Sequence, residues 1–120
     1  MKLVMGDHEE KRGCIFKGTV YCLEYSVEFG ADEIALLKKD GTWKQAYIDR
    51  SEVYKTYGGP LALSPADLMG TRKEAFTKTG KLAHYEREVK EGCKKIKAHI
   101  DALGYYSAGG SGGKKEVSLD

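Results

Sequence analysis

Residues 81–103 read Lys-Leu-Ala-His-Tyr-Glu-Arg-Glu-Val-Lys-Glu-Gly-Cys-Lys-Lys-Ile-Lys-Ala-His-Ile-Asp-Ala-Leu, and their periodicity decides the fold. Leu82, Val89, Ile96 and Leu103 recur every seven positions, and Tyr85, Cys93 and Ile100 fill the same side. Projected at about 100° per residue, these side chains form one apolar stripe on an amphipathic helix. Gly104 stands where helices end in a left-handed turn. Burying seven such side chains contributes on the order of 10 kcal/mol before entropy is charged. Gly92 lies in the stripe, where it costs a helix about 1 kcal/mol relative to Ala. A glycine there lets another element approach the backbone closely. The chain holds no second helix of matching length, so a two-helix seam is not expected. The stripe is expected to cover a sheet of the same chain, with a second copy as the alternative.

The sheet shows itself in Thr19–Phe29. Tyr21, Leu23, Tyr25, Val27 and Phe29 alternate with Cys22, Glu24, Ser26 and Glu28. This period of two, rich in aromatic and β-branched residues, predicts a strand with one face buried and the other mostly wet. Ile15 extends the apolar face if the strand starts earlier, with Gly18 as a bulge.

Around these two elements the remaining signals are shorter. Residues 31–39 predict a helix with Asp32 and Glu33 in its first turn and Lys38 and Lys39 in its last, ended by Asp40-Gly41. Trp43–Ile48 alternates impurely and predicts a weak strand. Ser64-Pro65-Ala66-Asp67 has the order of a helix start, which Gly70 limits to one turn. Thr71–Phe76 predicts an edge strand. The expected architecture is therefore α+β: a small antiparallel sheet of three to five strands, one face covered by the 81–103 helix and assisted by the 31–39 helix. A single domain is expected over residues 1–106, with 1–13 as a loose N-terminal arm. The Ser-, Gly- and Lys-rich residues 107–120 predict a flexible tail.

At 120 residues with a net charge of +2, the chain has the composition of an ordinary globular domain. Charge is uneven: residues 1–70 carry nine basic and eleven acidic side chains, and residues 71–120 carry eleven and seven. No apolar run approaches the roughly 20 residues that cross a bilayer. The start has no secretory pattern, and a cytoplasmic location without membrane contact is expected. Cys14, Cys22 and Cys93 form no C-x-x-C pair and are expected as reduced, apolar thiols.

Candidate chemistry is sparse. No phosphate-binding glycine loop, G-x-S-x-G or H-E-x-x-H occurs, so no catalytic residue or cofactor is expected. His84 and Glu88 share a helix face, and His8-Glu9-Glu10 forms a second loose group. A metal needs three or four converging ligands, so no metal site is assigned. Arg87, Lys90, Lys94 and Lys97 align on the outer helix face and could follow a phosphate backbone. Glu86 and Glu91 are interspersed, however, and predict i,i+4 pairs to Lys90 and Lys95. Tyr54, Tyr57, Tyr105 and Tyr106 occupy loop positions where tyrosine suits a protein interface.

The leading expectation is a non-enzymatic protein–protein interaction or regulatory module, able to form a homodimer through those tyrosines. A nucleic-acid-binding module using the basic helix row is the alternative. A small-molecule binder or enzyme with a pocket between helix and sheet is the second alternative.

Overall fold

The computed structural model describes residues 1–13, 18–51 and 61–104. A long hairpin opens the fold, with strand β1 at Lys2–Arg12 and β2 at Gly18–Glu28. Helix α1 (Ala31–Asp40) follows, then the two-residue strands β3 (Ile48–Asp49) and β4 (Ala62–Leu63). A single helical turn α2 (Pro65–Leu68), strand β5 (Arg72–Phe76) and the long helix α3 (Thr79–Ala102) complete it. The main sheet is antiparallel in the order β1-β2-β5, and β3 and β4 form a separate ladder. The class is α+β, as the two periodicities predict.

Register explains which residues meet the helix. Leu3 faces Val27, Met5 faces Tyr25 and Asp7 faces Leu23 across β1 and β2; Tyr21 faces Phe76 and Leu23 faces Glu74 across β2 and β5. One face thus gathers Leu23, Tyr25, Val27 and Phe76, and α3 lies over it, touching β2, β5 and β3. The buried stripe of α3 is Leu82, Tyr85, Val89, Gly92, Cys93, Ile96 and Ile100, and Leu103 packs partly buried at its end. The chain covers its own stripe. Leu37 of α1, with Ile48, Leu63 and Leu68, closes the rest of the core.

Local chemistry fixes the element ends. Ser64 Oγ accepts from the Asp67 N–H (3.3 Å) while Asp67 accepts from the Ser64 N–H (2.9 Å), a reciprocal cap on α2. Gly41 closes α1 at φ +83°, and Gly104 follows α3 at φ +93°, conformations that favour glycine. Glu33 Oε1 accepts from the Gly30 N–H (2.8 Å) and from the Met1 ammonium (2.6 Å). His99 Nε2 lies 2.7 Å from Asp40 Oδ2, tying the C-terminal ends of α3 and α1 together. Gly92 is a contact point: a Cβ there would stand 2.3 Å from Ile48 Cγ1 and 2.9 Å from the Tyr47 carbonyl oxygen.

Three expectations are corrected. Residues 2–12 are not a loose arm but a strand paired with β2 along its whole length. Only Leu3 and Met5 of its inner side approach the core, and charged residues occupy the inner positions beyond them, so no alternation marks the strand. Trp43–Ile48 is not a strand; pairing is confined to Ile48–Asp49. Trp43 instead sits in a turn, edge-on to Phe29 at 5.6 Å and beneath the Lys38 ammonium at 5.8 Å. Gly18 pairs in continuous register with Arg12, without a bulge. Ile15, and the tail over residues 107–120, lie outside the described residues.

Candidate functional site

Among the described residues, each face of the main sheet carries a cluster of polar side chains. On the covered face, Arg50 follows β3, Glu74 lies at the centre of β5, Tyr25 comes from β2 and Tyr85 from α3. Arg50 Nη2 reaches both carboxylate oxygens of Glu74, at 2.8 and 2.9 Å, with the two residues only 6% and 4% exposed. The Tyr25 and Tyr85 hydroxyls are 2.7 Å apart. Burial pushes the Tyr85 hydroxyl up to about 12 and raises Tyr25 as well, so both stay neutral at physiological pH. Buried beneath α3, this cluster holds register and packing.

The other face lies open. Strand periodicity aims His8, Glu10 and Arg12 of β1, Cys22 and Glu24 of β2, and Lys73 of β5 to the side away from α3. His8 stands directly opposite Cys22, and Glu10 follows two residues along the same strand. Three nitrogen groups converge on Glu10. His8 Nε2 donates to Oε2 at 2.7 Å, Lys73 Nζ donates to the same oxygen, and Arg12 Nη2 lies 3.2 Å from Oε1. Arg12 Nη2 also lies 3.9 Å from Cys22 Sγ, and Cys22 is wholly buried beneath this charged layer. The sequence pattern predicted a mostly wet face there, and Cys22 departs from it. A groove of about 410 Å³ continues along this face past Val4, Gly6, Glu24, Ser26 and Thr71.

Electrostatics follows from that geometry. Hydrogen bonds from Lys73 and His8 hold the Glu10 carboxyl at about 2, well below its ordinary 4.5, and Glu10 in turn raises the Lys73 ammonium. Burial, with Glu10 nearby, raises the Cys22 thiol. A carboxyl lowered in the folded state stabilises the fold above its unfolded value and stops doing so as pH falls through the folded one. Glu10→Gln is therefore expected to cost stability at neutral pH, and its deficit to shrink between about pH 4.5 and about pH 2. Parallel acid-denaturation curves for the two proteins would contradict the assignment.

Among the candidates expected from sequence, Tyr54, Tyr57, Tyr105 and Tyr106 lie outside the described residues. Arg87, Lys90, Lys94 and Lys97 do share the outer face of α3, with charge compensation. Lys90 pairs with Glu86 at 3.2 Å, and Glu91 pairs with Lys94 at 3.6 Å rather than with Lys95. His84 and Glu88 are 4.0 Å apart and half-exposed. The open-face cluster was only half visible beforehand: His8 and Glu10 were noted, but Cys22 joins them through strand register. Recognising residues 2–12 as the partner of β2 is the signal that would have found it.

No protein-family model matches the chain, and no curated protein or solved structure is significantly similar to it. Among the described residues, no helix is long and apolar enough to cross a membrane.

Proposed function

We propose that the chain is a non-enzymatic protein–protein interaction module that self-associates through the free edge of β1. The observation that carries this reading is that β1 runs for 11 residues as an edge strand, with β2 on one side and no described strand on the other. An edge of that length is a template for strand addition. Its charges select the register of a second copy. Antiparallel pairing centred on Gly6 sets Lys2 against Glu10 of the second copy, twice by symmetry, and Val4 against His8. No like charges then face each other. Pairing centred on Asp7 would oppose Asp7 to Asp7 and Lys2 to Arg12, which cross-strand electrostatics disfavours. Nothing lies within 4 Å of a Cβ built on Gly6, so two glycines at the symmetry axis meet without crowding.

Sedimentation of the full chain at tens of micromolar, with chelator present, is expected to show a dimer. Lys2→Glu, which places a second acid opposite Glu10, is expected to return it to the monomer. A strictly monomeric wild-type chain, or a dimer indifferent to Lys2→Glu, overturns the reading.

A further inference from the structure

The geometry points to a divalent transition-metal site of the zinc class, built by His8, Glu10 and Cys22 on the open face of the hairpin. Their ligand atoms (an imidazole nitrogen, a carboxylate oxygen and a sulfur) all lie within 4.8 Å of one another. Tetrahedral zinc with bonds of about 2.0–2.3 Å needs ligand atoms about 3.3–3.7 Å apart, so the three side chains must draw slightly together around the ion. The backbone already has the required form. Residues two apart on a strand share a face, and the residue opposite the first of them lies on the neighbouring strand, so the three ligands form a triangle across a continuous ladder.

The donor set also selects the ion. A thiolate with an imidazole suits zinc, cobalt or copper and disfavours magnesium and calcium. Three protein ligands leave one position free for water or a further ligand. Binding releases the Cys22 thiol proton to solvent and requires His8 to present Nε2 unprotonated, with its proton on Nδ1. Thiolate and carboxylate together balance the two charges of the ion. A cation already sits on this carboxylate: the Lys73 ammonium is bound to the oxygen that His8 also contacts. Lys73 is thus the competitor that the ion displaces, and Arg12 a second cation on the same carboxylate.

Cobalt(II) titration of the full chain tests this, read as thiolate-to-cobalt charge-transfer absorption. One equivalent is expected to raise the band, and added zinc to abolish it. Cys22→Ser is expected to eliminate the band, with unchanged circular dichroism showing that it folds, whereas Cys14→Ser and Cys93→Ser retain it. Glu10→Gln should weaken binding at least about tenfold, the loss that even an outer-shell change produces. Lys73→Gln should tighten it, an outcome that a merely structural ion pair does not predict. Absence of the band in the wild type, its survival in Cys22→Ser, or weaker binding in Lys73→Gln each overturns the assignment. Glu10 and His8 also lie in the proposed dimer register, so the titration is repeated on Lys2→Glu: sedimentation reads self-association, the cobalt band reads the site, and either proposal can fail alone.

Discussion

Arg50→Met is expected to destabilise the fold by about 3–5 kcal/mol, because it leaves the Glu74 carboxylate buried without its ion-pair partner. Arg50 and Glu74 are nearly inaccessible and joined at 2.8 Å, so water cannot replace the lost guanidinium without opening the core. The same physics predicts a rescue. Replacing both residues, Arg50→Met with Glu74→Leu, removes two desolvated charges together, and such exchanges are often neutral or stabilising. The double variant is therefore expected to recover most of the deficit. Urea denaturation of the two single variants and the double one gives the coupling directly. A single variant losing less than about 1 kcal/mol, the range of exposed pairs, would show that this pair is solvated.

Gly92 carries the second large effect. Alanine at an exposed helical position gains up to about 1 kcal/mol over glycine. At residue 92 that gain is opposed by a Cβ placed 2.3 Å from Ile48 Cγ1 and 2.9 Å from the backbone oxygen of Tyr47. Ile48 is 1% exposed and cannot rotate away freely, and the carbonyl can move only with its chain segment. Overpacking of this kind costs about 1–3 kcal/mol, so Gly92→Ala is expected to destabilise, and Gly92→Val more. Gly80, in the first turn of the same helix, has nothing within 4 Å of a built Cβ. Gly80→Ala is expected to be neutral or mildly stabilising. Thermal unfolding of the pair decides it: equal shifts of one sign would mean that β3 does not rest on the helix as described.

Legibility followed the strength of each period. The α3 stripe could be read almost residue by residue because one face of a 24-residue helix is fully committed to the core. Strand β2 could be read because it is central, with Leu23, Tyr25 and Val27 buried on one side. Strand β1 could not, since an edge strand with both faces largely wet carries charge where a core strand carries valine. The Arg50–Glu74 pair was hidden for a related reason: charged residues read as solvated until the surrounding elements are in place. Neither residue borders the other in sequence, and only β5 and the segment after β3 bring them together. His8 and Cys22 became neighbours by register alone, which no single-strand pattern records.

The position of α3 in the chain has a consequence for biosynthesis. Strand β2 presents Leu23, Tyr25 and Val27 to a helix that starts more than fifty residues later. A ribosome adds about 5–20 residues per second, so for several seconds the hairpin exists without the element that covers it. Its apolar face is then available to any passing hydrophobic surface, including that of another nascent copy. The mixed charges on the opposite face and along β1 keep this half-finished sheet in water while it waits. The same residues that outline the proposed metal site thus also guard the sheet's assembly.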